Sequence, residues 1–285
     1  MAPWPFLSFV SLAPFRSVSG QVFLSERLQK NESSGQCSAM SRITLEDLNA
    51  LEDDVAEDIP EHMEEDNDEE EQLFAHWQSI ANAHQVELPR ELTGPIQQLS
   101  RNNQARENVP YQPITCHEQC NEIIYEECFY PSGKWAHVIK GEKLYEQSVS
   151  LAFMKLMHYI CGENSAGHYL GMTIPIINDL QMTEERNSFV QNIITGYYLP
   201  EQFQDHPPQP VDPDVIIVDR QDMSIISRGF RGSTTEQIIM REIETLSELL
   251  GSTHAYLRDT YIVATYENPS VSHRRNEIWF IRHSQ

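Results

Sequence analysis

Apolar and polar residues alternate, then fall into helical spacing, then alternate again, and between Tyr125 and Ile281 the chain runs through this order twice. In the first pass Ile123, Tyr125 and Glu127 alternate with Ile124, Glu126 and Cys128, and Lys134–Ile139 resumes the pattern after Pro131-Ser-Gly133. Strand, turn and strand are predicted. Val149, Ala152, Phe153, Leu156, Tyr159 and Ile160 then recur every three or four residues up to Gly162, which predicts a helix with a left-handed cap. Tyr169–Ile177 and Phe189–Leu199 read as two further strands, and a proline-rich crossover, Pro200–Pro213, ends the half.

The second pass has Val215–Val218 and Ser224–Ser227 as strands and Ser233-Thr-Thr-Glu236 as a capping box. A helical stripe of Ile239, Ile243, Leu246 and Leu250 follows, capped at Gly251, then strands at Tyr261–Thr265 and Glu277–Ile281. Two such halves can join their sheets, because closure removes exposed strand edges. The fold class expected is α+β: duplicated strand-strand-helix-strand-strand halves forming a distorted antiparallel β-barrel with two flanking helices.

The earlier part of the chain reads differently. Residues 1–42 form a leader or disordered stretch, apolar and free of acids at its start, and Met40 is an alternative start of translation. Residues 43–88 form an acidic, partly helical tail: Leu48, Leu51, Val55 and Ile59 keep helical spacing, as do Leu73, Trp77, Ile80 and His84. Such a tail is either solvated or docks onto a protein partner, with Leu73, Phe74 and Trp77 as the contact. Residues 89–113, rich in Gln, Asn and Pro, read as a linker, and 114–283 as the folded domain.

Charge narrows the partners. The chain carries a net charge of −23, but fifteen acids lie between Glu46 and Glu71 with no Lys or Arg among them, which leaves the remainder near −8. No basic cluster of the kind that grips phosphates is present, so nucleic acid is not expected as a partner. Five cysteines at irregular spacing point to a reducing compartment, and no apolar run approaches the ~20 residues of a membrane span. A cytoplasmic protein is expected; Arg16, Arg27 and the early serines leave a mitochondrial presequence as the alternative. Cys116-His-Glu-Gln-Cys120 with Cys128 lacks the paired spacing of zinc sites and reads as free thiols. No nucleophile elbow, zinc-protease motif or phosphate loop occurs, and Glu126 and Glu127 have no partner base nearby in sequence, so no enzyme is expected.

Within the duplicated region, Tyr125-Glu-Glu-Cys-Phe-Tyr-Pro-Ser-Gly-Lys-Trp135, Gly171-Met-Thr-Ile-Pro175, Val215-Ile-Ile-Val-Asp-Arg220 and Arg274-Arg-Asn-Glu-Ile-Trp279 together resemble the SOUL haem-binding protein family. That resemblance implies a non-enzymatic buffer or carrier of haem or a related tetrapyrrole, bound reversibly and non-covalently in an apolar groove along the first helix of the domain. The residues it points to are Phe153, Met154, Met157 and His158 on that helix, with Lys155, Arg274 and Arg275 to meet the propionates. Phe129 stands where some members carry a proposed axial histidine, which leaves His158 as the metal-ligand candidate. The alternative is an interaction protein whose SOUL-like domain has lost haem and which acts through its acidic leader or in mitochondrial or cell-death regulation.

Overall fold

The computed structural model describes residues 65–102, 105–119, 122–251, 256–268, 271 and 273–283. The expected leader, the acidic helix of 43–59, Cys37 and Cys120 lie outside the described residues. The elements in chain order are α1 (Glu65–Ala83), a 3-10 turn (Arg90–Leu92), α2 (Thr93–Arg101), β1 (Arg106–Asn108), β2 (Gln112–Gln119), β3 (Glu122–Tyr130) and β4 (Gly133–Lys140). Next come α3 (Tyr145–Ile160), β5 (Met172–Ile174), β6 (Ile176–Gln181), β7 (Ile193–Tyr198), β8 (Val215–Arg220), β9 (Met223–Arg231), α4 (Glu236–Leu250), β10 (Tyr256–Thr265) and β11 (Arg275–Arg282).

Nine strands form one antiparallel sheet in the order β2-β3-β9-β11-β10-β6-β7-β4-β8, and β1 pairs with β5 in parallel. Leaving out β2, exchange of β3, β4, β6 and β7 with β8, β9, β10 and β11 reproduces the same order read backwards. The duplication read from sequence is thus a pseudo-twofold, with its axis at the β6–β10 seam, where Thr265 faces Ile176 and Thr260 faces Gln181. Each half lends its first strand to the other: β3 pairs with β9, and β8 pairs with β4. Neither half completes its sheet alone.

The sheet curls. In the strand order β3 and β4 are six places apart, about 29 Å across a flat sheet at ~4.8 Å per strand. Yet Tyr130 and Gly133 are joined by three peptide steps, a reach of at most about 11 Å. The barrel-like curvature therefore holds, but the ladder does not close. Its edges tolerate exposure because β2 is polar and solvent-facing, and β8 is tied by the ion pairs Lys134–Asp219 and Lys140–Asp214.

Alternation along the strands sorts the core into two faces. On one face α3 buries Ala152, Leu156, Tyr159 and Ile160 against Ala136, Val138, Tyr197 and Leu199. On that face too, α4 buries Ile239, Ile243, Leu246 and Leu250 against Ile226, Val263, Ile278 and Phe280. On the concave side Trp279 gathers Tyr130, Trp135, Ile177, Tyr198, Ile225 and Ile262. The cap of α4 sits later than its sequence suggests: Thr235, not Ser233, accepts from the Ile238 N–H at 3.4 Å, and Glu236 accepts instead from the Phe189 N–H. Gly162 (φ +126°) ends the α3 turn as expected.

Where the sequence reads as tail and linker, residues 70–101 fold onto the outer flank of α3. Leu92 and Ile96 are fully buried, and with Trp77, Ala81, Val86 and Leu88 they enclose Met154 and Met157. The linker expectation fails because three apolar residues at helical spacing, Leu92, Ile96 and Leu99, outweigh a Gln- and Pro-rich composition. Pro95 sits in the first turn of α2, where its missing N–H costs nothing. Leu73, Phe74 and Trp77, read as a contact for a protein partner, pack instead against the chain's own α3 flank. Ile96→Ala is expected to cost about 2–4 kcal/mol of this docking, seen as faster amide exchange and proteolysis within 73–101 while exchange in the sheet stays slow.

Candidate functional site

The packing of α1 on α3 leaves a cavity of about 140 Å³, lined also by residues of β5 and β6 and by Tyr266, Glu267, Asn268 and Arg274. One wall is α3, where Val149, Phe153 and Met157 follow each other at four-residue steps beside Ser150 and Met154. This stripe is rotated away from the sheet-facing Ala152, Leu156 and Ile160, so one helix serves the core with one face and the cavity with the next. The opposite wall is α1 and its exit, with Trp77, Ile80, Ala81 and His84.

One end of the cavity is polar. Arg106 and Arg274 line it with Tyr266, Glu267 and Asn268. Burial lowers the pKa of Arg274 from the ordinary arginine value, and burial does the same to Arg106 against the opposing pull of Glu267. Arg106 also donates to the Tyr266 carbonyl at 2.9 Å. Two buried donors lining the cavity, the Trp77 indole Nε1 and the Tyr145 hydroxyl, have no hydrogen-bond partner. Buried polar atoms are seldom left so, and each costs about 1–3 kcal/mol when unsatisfied. His84 is anchored by a 2.7 Å contact between Nδ1 and the Ser150 hydroxyl. Burial first, and Arg274 after it, push the His84 pKa down, with Glu146 opposing, which keeps the ring neutral at pH 7.

Of the residues flagged in sequence, Phe153, Met154, Met157 and Arg274 meet at this cavity. Lys155, His158 and Arg275 do not. Lys155 is held by Asp212 at 2.5 Å and Asp214 at 3.2 Å; burial opposes its charge, but these hydrogen bonds keep its pKa above the lysine norm. It ties α3 to the crossover. His158, the metal-ligand candidate, pairs with Glu163 at 2.7 Å. Arg275 points to a second, larger cavity of about 500 Å³, where it binds Glu277 at 2.5 Å and stacks 4.3 Å over Tyr266. There the carboxylate of Glu277 is already met by Arg275, the Tyr266 hydroxyl (2.8 Å) and Trp279 Nε1 (2.7 Å). The smaller cavity is the better ligand site because two of its buried donors, Trp77 Nε1 and the Tyr145 hydroxyl, have no partner.

Sequence reading missed Trp77, His84, Arg106 and Tyr145 as site residues. The helical run Leu73, Trp77, Ile80 and His84 was legible, but the surface it faces was not. Cys116 is exposed on β2, and Cys128 is buried on β3, where burial first and then Glu126 push its thiol up to about 11. Among the described residues no group of three or more His, Cys, Asp or Glu side chains is placed to hold a metal ion, and no helix is long and apolar enough to cross a membrane.

The lining combines aromatic and thioether walls with two guanidinium groups, the Glu267 carboxylate and two unpartnered donors. A family model described as SOUL heme-binding protein matches residues 106–281. Heme-binding protein 1 of Mus musculus is 30% identical over 178 residues, which cover 62% of this chain and 93% of that protein. Heme-binding protein 2 of Homo sapiens is 28% identical over 164 residues, 56% of this chain and 79% of the other. Among solved structures, the C-terminal domain of EcmrR aligns with a TM-score of 0.42 and 10% identity, over 56% of this chain and 98% of that one.

Proposed function

Because the chain belongs to the SOUL heme-binding protein family, we propose that it binds haem or a related tetrapyrrole reversibly between α1 and α3, as a carrier or buffer rather than an enzyme. The observation that carries this reading is that the cavity joins aromatic and thioether walls to two guanidinium groups and two unpartnered donors. Phe153, Met154 and Met157 would lie against the ring, and Arg106 and Arg274 would meet the carboxylates. The tetrapyrrole would supply a planar aromatic surface, two propionates and, in haem, an iron centre. At about 140 Å³ the cavity, which is partly open to solvent, is smaller than the roughly 300–1,000 Å³ typical of sites for ligands of that size.

Haem titration of the full chain tests this. A shifted Soret band and saturable quenching are expected, with Trp77 as the reporter, since Trp135 and Trp279 sit in the separate concave core. Arg274→Gln is expected to weaken binding about tenfold, the loss of one charge-assisted contact at about 1.4 kcal/mol. Lys155→Ala should leave affinity unchanged, because Lys155 is committed to Asp212 and Asp214. No Soret shift and no quenching at micromolar haem would overturn the proposal.

A further inference from the structure

We propose that His84, which lies ahead of the family-matched residues 106–281, would hold the tetrapyrrole iron as a ligand, so that the N-terminal helical segment is part of the binding site. This rests on the tetrapyrrole reading above. Among the described residues His84 is the histidine that lines the cavity. Its Nδ1 is engaged by the Ser150 hydroxyl at 2.7 Å, and no hydrogen bond reaches Nε2. In the tautomer that donates Nδ1–H to the Ser150 oxygen, one ring nitrogen is fixed by a neighbour and Nε2 keeps its lone pair, the arrangement of an oriented metal-binding imidazole.

The ring is also held in place by its backbone. The His84 N–H closes the last turn of α1 on the Ile80 and Ala81 carbonyls, Gln85 follows at φ +56°, and the Gln85 carbonyl accepts from the Gln147 side chain at 3.2 Å. Two side chains of α3, Gln147 and Ser150, thus position this one residue. His158 is paired with Glu163 and His117 stacks on Tyr125, while His137, with Nε2 unpartnered, is buried within the sheet away from the cavity. The charged and titratable groups that act on His84 are Glu146 of α3 and Arg274 of the 266–274 connection.

The test uses the full chain with two probes, haemin and metal-free protoporphyrin. For His84→Ala the ratio of haemin to protoporphyrin affinity is expected to fall about tenfold or more, as when an iron ligand is lost. The Soret and visible bands should also shift. In His84→Gly, added imidazole should restore the wild-type bands, and Ser150→Ala should give a smaller shift in the same direction. If His84→Ala weakens both probes equally, or leaves the haemin spectrum as in wild type, the assignment is overturned and the residue only packs. If wild type binds neither probe, the tetrapyrrole reading itself fails, and the two failures are told apart.

Discussion

Trp279→Ala is expected to destabilise the domain by about 3–5 kcal/mol, the range for emptying a large buried aromatic site. The indole is wholly buried, stacks at 4.6 Å on Tyr130, and touches strands of both halves through Ile177, Ile225 and Ile262. Its Nε1 donates to Glu277 at 2.7 Å, so truncation also removes one of the donors that neutralise a nearly buried carboxylate. For a domain of this size the midpoint should drop on the order of 10 °C. Trp279→Phe keeps much of the volume and loses only the N–H, so it should fall between the two. Thermal or urea denaturation followed by near-UV circular dichroism checks both, and a midpoint within one degree of wild type for the alanine variant would show that the concave core is not shared as described.

Acid is expected to weaken the fold through His137. This residue is buried on β4 between Gly196 and Ile216, its Nε2 has no partner, and burial pushes its pKa down to about 4, with Asp179 and Arg220 pulling in opposite directions. An unfolded histidine titrates near 6.5. Between those values the unfolded chain holds a proton that the folded chain refuses, so stability is full above about 6.5 and falls as pH drops toward 4. At about 1.4 kcal/mol per pH unit, the loss between pH 7 and pH 5 is roughly 2 kcal/mol, and it approaches about 3 by pH 4. His84 adds to the same slope, since its pKa is lowered too. Urea midpoints from pH 7.5 to 4.5 measure the slope, and His137→Phe should flatten it. Equal slopes in the two proteins would remove His137 as the cause.

The site itself was half legible. Met154 and Met157 stand off the sheet-facing stripe of α3, with Phe153 bordering both surfaces, and that offset marks a second apolar surface needing cover. Lys155 and Arg275 lie away from this cavity, each already paired, and a cation's sequence position does not reveal the carboxylate it pairs with, here Asp212 and Glu277. Trp77 and His84 were visible as a helical run, yet nothing local distinguishes a helix that meets a partner protein from one that meets its own chain.

The sequence by itself determined the elements, their duplication and the faces they bury, because periods of two and of three to four residues are local properties of strand and helix. It also carried the family, in motifs along the two halves. Only the tertiary structure decided that each half lends its first strand to the other, that the curled sheet stays open at polar edges, and that the acidic segment's end folds back over α3. Those outcomes depend on contacts between residues tens of positions apart, and their energies come from buried area and paired charges that no single stretch of chain contains.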